Sequence, residues 1–321
     1  MYKYVTLFDR EGALWARWSR DDYATPPLFF EPLSRPPLGQ PVMVDAAAFR
    51  AFWSDSARVA FDPAHARLII DDDEARQHTR LACFYPDPLT EGGFTHVARI
   101  EDAAALHLAA LSHDACWGAV AAYVRVRDGE ARVWSTNRVA LIRAITPGTG
   151  EASFVLRDVD VRALRALKGA LDLFVRSEPP QRLRLASQAG IVEVELMSLP
   201  FPDFDRVIQP EPSAYADAGE LVRALKLARA GGRDEGAQAR FALTYDALTV
   251  ASECASTRVA LEGEAHPAEA DFNPALALKL AQLLEGEAAV GIGEPDSTLQ
   301  LSGARGGVLL DAALASLGAR R

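Results

Sequence analysis

The sequence has few cysteines and no long apolar run. Its three cysteines, Cys83, Cys116 and Cys254, are odd in number and lack the C-x-x-C spacing of a zinc or redox site. They fit reduced thiols that pack as small apolar side chains in a cytoplasmic protein. No apolar run approaches the ~20 residues needed to cross a bilayer, and the N-terminus lacks the pattern of a secretion signal. We therefore expect a soluble cytoplasmic protein that does not enter a membrane.

Motifs for catalysis or metal binding are also missing. The six histidines include no pair at i, i+4 and no H-E-x-x-H motif, and there is neither a G-x-S-x-G elbow nor a P-loop. Gly291-Ile-Gly293 lacks the third glycine of a dinucleotide site and indicates a turn. The carboxylate run Asp71–Glu74 is compatible with a divalent metal, but its position after the strand-like Arg67–Ile70 favours a solvated hairpin turn. We expect no enzyme activity, no cofactor and no metal.

Positive charge is in short supply. The 321 residues contain 34 Lys and Arg against 44 Asp and Glu, which gives a net charge of −10 and a pI near 5.2. This balance excludes a protein that coats nucleic acid with its whole surface, but it leaves room for a local basic strip. The length predicts about two to three domains.

The sequence does contain an internal repeat. Five Ala/Leu-rich runs with helical spacing each follow an Asp or Asn, and these residues succeed one another at intervals of 56 to 59: Asp45, Asp102, Asp158, Asp217 and Asn273. Each predicts a helix start, because a short acceptor side chain at the N-cap satisfies an otherwise unpaired backbone N–H. Glu220, three residues after Asp217, and Pro274, directly after Asn273, strengthen two of these starts.

Each predicted helix is preceded by one strand-like segment and followed by several, separated by turns. After the second helix, for example, Ala119–Val126 and Ala131–Ser135 alternate around Asp128-Gly129, which is a strong hairpin signal. The repeating unit is therefore β-α-β-β-β, and two units together can share one core. We predict an α+β protein of three such domains, of which the first lacks its opening strand and helix. Their boundaries are 1–93, 94–209 and 210–321.

Two predicted helices carry matching basic stripes. Val161–Lys168 and Val222–Arg229 share one pattern, in which cations recur on one face and leucine or alanine on the other. Cations that are not interleaved with aromatic or Asn/Gln side chains can contact the phosphates of a nucleic acid. They do not distinguish one base sequence from another. Ordinary solvated helix faces are the alternative interpretation. The candidate DNA-binding residues are Arg162, Arg165, Lys168, Arg223, Lys226 and Arg229.

Three segments, Phe201–Ile208, Phe272–Lys279 and Val133–Ala140, resemble motifs of one known family. Phe201-Pro-Asp-Phe-Asp-Arg-Val-Ile208 is similar to the Phe-Pro-Asp-Tyr-x-Arg-Val-Ile segment between the second and third domains of the bacterial sliding clamp, the beta subunit of DNA polymerase III. Phe272–Lys279 resembles the Asn-Pro-x-Tyr-Leu start of the family's last helix. Val133–Ala140 is similar to the family's Ala-Thr-Asp-Gly-His-Arg-Leu-Ala strand end, with two residues missing. The resemblance is clearer over 94–310 than over 1–93.

The resemblance implies a DNA-clamp fold and a function. A clamp chain has three repeated domains, and two chains form a head-to-tail homodimer ring with helices inside and sheets outside. The ring encircles double-stranded DNA without reading its sequence and tethers polymerases and repair proteins, with no chemistry of its own; a clamp loader opens it. An acidic ring is compatible with this function because topological linkage holds the DNA. Only the inner helices then need weak attraction to phosphates.

The resemblance also implies a pocket for an extended peptide of a partner protein. The residues carried over are Arg138, Val139, Pro202, Arg206 and Val207, with Val308 and Leu309 at one wall. Pro202 and Val207 equally fit a stiff interdomain turn and core packing. Arg206 equally fits an ion pair with Asp203 or Asp205.

Three departures from the family leave a second function open. The Gly-His pair before Arg138 is missing, and the family's Met-Pro-x-Arg-Leu tail is replaced by 308–321, which indicates a short terminal helix. The first domain also lacks one helix. The alternative function is a clamp-fold interaction protein that does not encircle DNA and instead modulates or competes with the housekeeping clamp.

Overall fold

The computed structural model of the chain describes residues 2–20, 27–72, 77–83, 93–110, 122–137, 139–179, 181–197, 200, 203–204, 207–208, 212–230, 238–293 and 298–316. These residues form mostly strands and a few helices. No helix among them is both long enough and apolar enough to span a membrane. Arg138, Pro202 and Arg206 of the predicted pocket lie outside the described residues.

The elements of the first part of the chain begin with three strands, β1 (Tyr4–Arg10), β2 (Ala13–Ser19) and β3 (Leu28–Pro32). Next come β4 (Val42–Asp45), α1 (Ala46–Phe52), β5 (Arg58–Asp62), β6 (Arg67–Asp72) and β7 (Gln77–Ala82). They are followed by β8 (Thr95–Ile100), α2 (Ala104–Ala110), β9 (Ala122–Arg127), β10 (Glu130–Thr136) and β11 (Ala140–Gly150).

The remaining elements continue the same order. A third set is β12 (Ala152–Leu156), α3 (Asp158–Leu164), β13 (Leu171–Arg176), β14 (Arg182–Ser187) and β15 (Gly190–Glu195). The fourth is β16 (Ala214–Asp217), α4 (Ala218–Ala230), β17 (Ala239–Leu243), β18 (Ala247–Ala251) and β19 (Ser256–Ala260), followed by the short β20 (Glu262–Gly263). The last is β21 (Ala268–Phe272), α5 (Pro274–Ala281), β22 (Glu285–Gly293), β23 (Thr298–Arg305) and β24 (Val308–Ala315).

The order strand, helix, three strands therefore occurs five times after β1–β3, in agreement with the predicted β-α-β-β-β unit. The Asp128-Gly129 hairpin is confirmed: both residues have positive φ, as the turn between β9 and β10 requires. The grouping of the units into domains 1–93, 94–209 and 210–321 stays a prediction.

Four helices begin at the predicted N-cap. Asp45, Asp102, Asp217 and Asn273 each accept a hydrogen bond from a backbone N–H two or three residues further on, at 2.8–2.9 Å. These bonds satisfy donors that the first helical turn leaves unpaired. In α3 the arrangement differs, because Asp158 is already helical and Asp160 accepts from the backbone N–H of Arg157 instead.

The described chain divides into two compact units, and the first contains residues 1–99 and 162–197. Its main sheet is antiparallel with the order β13–β14–β15–β3–β2–β1–β4. A separate sheet contains β5, β6 and β7. Helix α1 packs against β1, β4 and β7, and buries Phe49 completely in an apolar core.

The second unit contains residues 100–161 and 198–321. Its main sheet is antiparallel with the order β12–β9–β10–β11–β24–β23–β22–β16. Helix α2 packs against β9, β10 and β11. A four-stranded sheet has the order β19–β18–β17–β21, and α4 packs against both β19 and α5.

The segment that follows Val308 is a strand, so the predicted terminal helix is wrong over 308–315. Gly306 and Gly307 have positive φ and turn the chain back from β23 into β24. Burial then alternates: Val308 and Leu310 are buried, whereas Leu309 is exposed. This two-residue period matches a strand with one covered face, which the alanine-rich composition concealed.

The carboxylate run Asp71–Glu74 falls in the predicted hairpin, because Asp72 of β6 pairs with Gln77 of β7. Asp72 is not solvated, however. It is 2% exposed, and its carboxylate accepts hydrogen bonds from the hydroxyls of Ser54 and Ser56. Asp73 and Glu74 lie outside the described residues, and within the described part no group of three His, Cys, Asp or Glu side chains is arranged to hold a metal.

Candidate functional site

Helix α4 presents the clearest basic surface of the described chain. Arg223, Lys226 and Arg229 are all exposed, and they follow one another every three residues. The opposite face packs into the core. Its residues are each less than 5% exposed: Leu221, Ala224, Leu225 and Ala228. The predicted amphipathic stripe is therefore confirmed for α4.

Two local features fix this stripe. The Asp217 side chain accepts a hydrogen bond from the backbone N–H of Glu220 at 2.9 Å and so caps the start of the helix. Glu220 lies in the first turn and Arg229 in the last, where their charges complement the helix dipole. Over the six residues from Arg223 to Arg229 the helix rises about 9 Å. The three cations thus form a short row on the exposed side of the helix, spread over an arc of about 120°.

The matching stripe on α3 is not formed as predicted. The helix ends at Leu164, so Arg165 and Lys168 are exposed but lie beyond it, and only Arg162 is helical. The backbone N–H of Leu167 donates to the Leu164 carbonyl at 2.9 Å, which buries both leucines in a tight turn. Gly169 then adopts a φ of 69° and leads the chain into β13. The prediction of one helical stripe over 162–168 is therefore wrong.

Arg157, which extends this basic run in the sequence, is held by an acidic neighbour. Its backbone N–H, Nε and Nη2 donate to the Asp160 carboxylate at 2.9, 3.0 and 3.1 Å. Asp160 is 0% exposed, so its charge would be costly without this partner. The arginine therefore stabilises the start of α3.

Helix α1 adds one oriented cation. The Arg50 guanidinium lies 4.3 Å from the centre of the Trp18 ring, and Trp18 Nε1 donates to Glu31 at 2.7 Å. Burial raises the pKa of Glu31, partly offset by the hydrogen bond from Trp18 and by the charge of Arg50. The stacked arginine is exposed, and its ring contact restricts where it can point.

A second surface forms around the segment Phe201–Ile208. Phe204 and Ile208 are buried in one apolar cluster with residues of four strands: Tyr123 of β9, Trp134 of β10, Leu141 of β11 and Ala313 of β24. The Phe204 ring lies 5.1 Å from that of Tyr123 and 6.1 Å from that of Trp134, centre to centre. The segment is thereby anchored on the face of the sheet.

Two of the predicted pocket residues lie within two positions of a cluster member in the sequence. Val207 lies between the anchors Phe204 and Ile208 in sequence and is 46% exposed. Val139 directly precedes β11, which carries Leu141, and its carbonyl accepts from the backbone N–H of Ala315 at 2.9 Å. We call these two apolar residues the rim, and their membership of a peptide pocket stays a prediction.

Val308 and Leu309 do not join this rim. Leu309 pairs with Ile145 across β11 and β24, six residues along the strand from Val139, which is roughly 20 Å at 3.4 Å per residue. Ala313 and Ala315 occupy the position beside the cluster instead. Sequence reasoning missed Trp134 and Ala313, although Trp134 lies inside the motif Val133–Ala140.

The sheet beneath the cluster is held by a charged pair. Arg143 Nε of β11 donates to Asp311 Oδ2 of β24 at 2.9 Å, Nη2 lies 2.8 Å from the same oxygen, and both side chains are 18% exposed. An arginine–carboxylate pair that is mostly shielded from water is stronger than a surface ion pair. It fixes the register in which Leu141 meets Ala313.

No protein-family model matches the sequence, and no curated protein is similar enough to be matched. Solved structures do match. The β sliding clamp of Caulobacter crescentus, with polyethylene glycol bound to a putative β-motif tethering region, superposes with a TM-score of 0.72 at 17% identity, over 98% of this chain and 90% of that one.

Two further clamps agree with this match. The DNA polymerase sliding clamp of Pseudomonas aeruginosa gives a TM-score of 0.75 at 14% identity, over 98% of this chain and 92% of its own. The Helicobacter pylori β clamp bound to a DNA ligase peptide gives 0.71 at 13% identity, over 99% and 92%. The chain therefore has the β-clamp fold, and the resemblance of its three motifs is confirmed at the level of fold.

Proposed function

We propose that the chain is a divergent sliding clamp, a ring-forming protein that encircles duplex DNA and tethers polymerase or repair proteins. The observation that carries this proposal is the clamp fold over 98% of the chain, combined with an exposed row of cations on α4. A clamp has no chemistry of its own. Its lining has only to attract phosphates weakly, which a net charge of −10 permits if the cations lie inside.

Strand pairing supports a head-to-tail ring. Within the chain, the last strands of different repeats pair with each other: β15 with β3, and β11 with β24. The last strands of the two other repeats, β7 and β19, are sheet edges among the described residues. We propose that β7 of one copy pairs with β19 of another, and that two such contacts close a homodimer. A clamp loader would open one of them.

The apolar rim at Val139 and Val207 supports partner binding. The Helicobacter pylori clamp binds a DNA ligase peptide. We propose that polymerase or repair proteins insert apolar side chains of an extended segment beside the cluster of Trp134, Leu141 and Phe204. Arg138, Pro202 and Arg206 would complete the rim, as the motif resemblance implies.

A second candidate function is a clamp-fold interaction protein that does not encircle DNA. The observation that favours it is the sheet β5–β6–β7, which has three strands among the described residues where β19–β18–β17–β21 has four. In the four-stranded sheet the extra strand β21 comes from the next repeat. A sheet of three strands would weaken the part of a ring to which it contributes.

Charge reversal separates the two functions. Arg162→Glu with Arg223→Glu changes the charge of two proposed lining helices, and Arg240→Glu with Arg305→Glu is the matched control on strands. For a ring clamp, the first pair lowers DNA-dependent polymerase stimulation at least about tenfold, because phosphate contacts are replaced by repulsion, whereas the control pair has little effect. Equal effects of both pairs favour the second candidate.

The mass in solution is an independent check. A closed homodimer has twice the 34.7 kDa of one chain. We expect this mass at micromolar concentration by light scattering after size-exclusion chromatography. A strict monomer at that concentration would count against the ring.

A further inference from the structure

The strand β5 has one edge that no strand covers among the described residues. The described chain contains six sets of three consecutive strands. In five of them the first strand also pairs, on its other side, with a strand of a neighbouring repeat: β1 with β4, β9 with β12, β13 with β8, β17 with β21 and β22 with β16. In the sixth set, β5 pairs with β6 alone within the described part. This edge is therefore an exception in a regular architecture.

The open edge leaves apolar surface only partly covered. Val59 and Phe61 of β5 pack against the core that contains Phe49 of α1, yet both are only half-buried. By contrast, Leu7 of β1 and Phe241 of β17 are 0% exposed, and their strands have a neighbour on each side. A strand added at the edge of β5 would cover Val59 and Phe61 and supply backbone partners along that edge.

The outward face of β5 carries one charge of each sign. Arg58 and Asp62 lie at the two ends of the five-residue strand, and Ala60 lies at its middle. All three share the face opposite to Val59 and Phe61, because side chains alternate along a strand. Charges of opposite sign directly across two strands stabilise a sheet, so these two side chains bear on what can pair with the edge.

The neighbouring strand already shows such pairing. Asp71 of β6 lies opposite Arg58, and Arg67 of β6 lies opposite Asp62. The sign of the charge therefore alternates from one strand to the next at both ends of β5. A strand that continues this alternation has an acidic residue opposite Arg58 and a basic residue opposite Asp62.

A second copy of β5 meets this requirement. When two copies lie antiparallel with Ala60 opposite Ala60, Arg58 of each copy faces Asp62 of the other. In the same register Val59 of each copy faces Phe61 of the other, so the half-buried apolar side chains cover one another. The edge strand β19 lacks this property, because its exposed Arg258 lies at its middle and would face itself.

Both charged side chains can contact a second partner. The Asp62 carboxylate accepts from the backbone N–H of Ala64 at 3.0 Å and lies 2.8 Å from His65 Nδ1, but a carboxylate has about four acceptor positions. An arginine has several N–H donors, so the exposed Arg58 can contact a neighbouring copy as well as groups of its own chain.

We propose that two copies of the chain associate through their β5 strands, paired antiparallel about Ala60, so that β5, β6 and β7 of both copies form one continuous sheet. This two-fold contact differs from the pairing of β7 with β19, because β5 and β7 are opposite edges of one sheet. It joins rings if the chain forms them and single chains if it does not, so it goes beyond the proposed function. The contact is small, and we expect weak association that rises with concentration.

Charge exchange tests this contact by sedimentation over a concentration series. We expect the unmodified chain to gain mass reversibly as its concentration rises. Arg58→Asp alone or Asp62→Arg alone should weaken this association about tenfold, because like charges then face each other at both ends. Arg127→Asp, at an exposed arginine of β9, is the matched control and should change nothing.

Two combinations should restore the association. In the double variant Arg58→Asp/Asp62→Arg, opposite charges face each other again. In an equal mixture of the two single variants, a copy with two carboxylates pairs with a copy with two guanidinium groups. This second result requires that β5 of one copy meets β5 of another.

The mass of each single variant keeps this proposal separate from the proposed function. That mass equals a closed homodimer if β7 and β19 form a ring, and one chain if they do not. Only the change from the unmodified chain, and its reversal by the double variant and the mixture, tests the pairing of β5.

A milder variant decides the matter if charge exchange impairs folding. Ala60→Cys brings two thiols opposite each other with Cβ atoms about 5 Å apart, close to the range of a disulfide. Mild oxidation should then link two copies through residue 60, with the unmodified chain and its own cysteines as the control. The proposal is overturned if the unmodified chain does not associate, if folded single variants associate equally well, if their mixture restores nothing, or if Ala60→Cys links no faster than the control.

Discussion

Helices α3 and α4 begin from nearly the same sequence pattern and end as different structures. Val161–Lys168 and Val222–Arg229 both alternate cations with leucine and alanine, yet α3 has 7 residues and α4 has 13. In α4 the pattern lies in the middle of a capped helix that is free of glycine after its first turn. In α3 it begins late in the helix, and Gly169 follows within five residues of Leu164. Flanking residues, and not the pattern itself, decide whether the cations form a row.

The largest expected difference in stability concerns the residues that anchor the first turns of α3 and α4. Asp160→Ala should lower the free energy of unfolding by about 3 kcal/mol, because it leaves the Arg157 guanidinium without its buried carboxylate. Urea unfolding measures the loss. Asp160→Asn, which keeps one acceptor, should lose less. If Asp160→Ala lowered the free energy of unfolding by less than Asp217→Ala, which removes the exposed cap of α4, the Arg157–Asp160 pair would not anchor α3.

The turn that ends α3 gives the next effect. Gly169→Val should cost about 1–2 kcal/mol, because a β-branched residue is strained at a φ of 69°. Apart from its two chain neighbours, no atom of the described residues lies within 4 Å of a Cβ built there, so we assign the cost to backbone strain. Gly169→Asn, which tolerates this region, is the control. Equal stability of the valine variant would mean that α3 can extend past Leu164.

The cap of α4 comes third. Asp217→Ala should cost about 1 kcal/mol, since the backbone N–H of Glu220 loses its acceptor. Asp217→Asn retains that acceptor and should cost much less. Circular dichroism during urea unfolding gives both values, and identical losses for the two variants would assign the effect to charge and not to capping.

The smallest expected effect compares single cations of the two helices. Lys226→Ala should reduce the slope of log affinity for duplex DNA against log salt by about 0.9, the value for one lost phosphate contact. Lys168→Ala, on the segment beyond α3, should reduce it less because that lysine is not fixed in a helical row. If Lys168→Ala reduced this slope more than Lys226→Ala, the main DNA-contacting surface would lie beyond α3 and not on α4.

Much of the fold could be predicted because short-range chemistry determines it. Acceptors such as Asp45 and Asn273 cap the first turn of their own helix, and Asp128-Gly129 sets its own hairpin. The end of α3 could not be read from periodicity, because it depends on the buried turn of Leu164 and Leu167. The strand β24 was missed because alanine fits both helix and strand, and only pairing with β11 and β23 decides between them.

The candidate site was predictable in part. The motif Phe201–Ile208 supplies two members of the apolar cluster, Phe204 and Ile208, whereas the roles of Val139 and Val207 in a peptide pocket stay predictions. That Ala313 belongs to the apolar cluster could not be inferred from the sequence. Its place there depends on the pairing of β24 with β11, in which Ala313 lies opposite Leu141, 172 residues earlier in the sequence.

Encirclement of DNA is the central claim, and topology tests it most directly. The protein is loaded with a clamp loader on covalently closed circular DNA and on linear DNA of the same sequence, and the fraction that remains bound after a salt wash is measured. The account predicts retention on the circle and loss from the open ends of the linear form. Equal loss from both forms would contradict it.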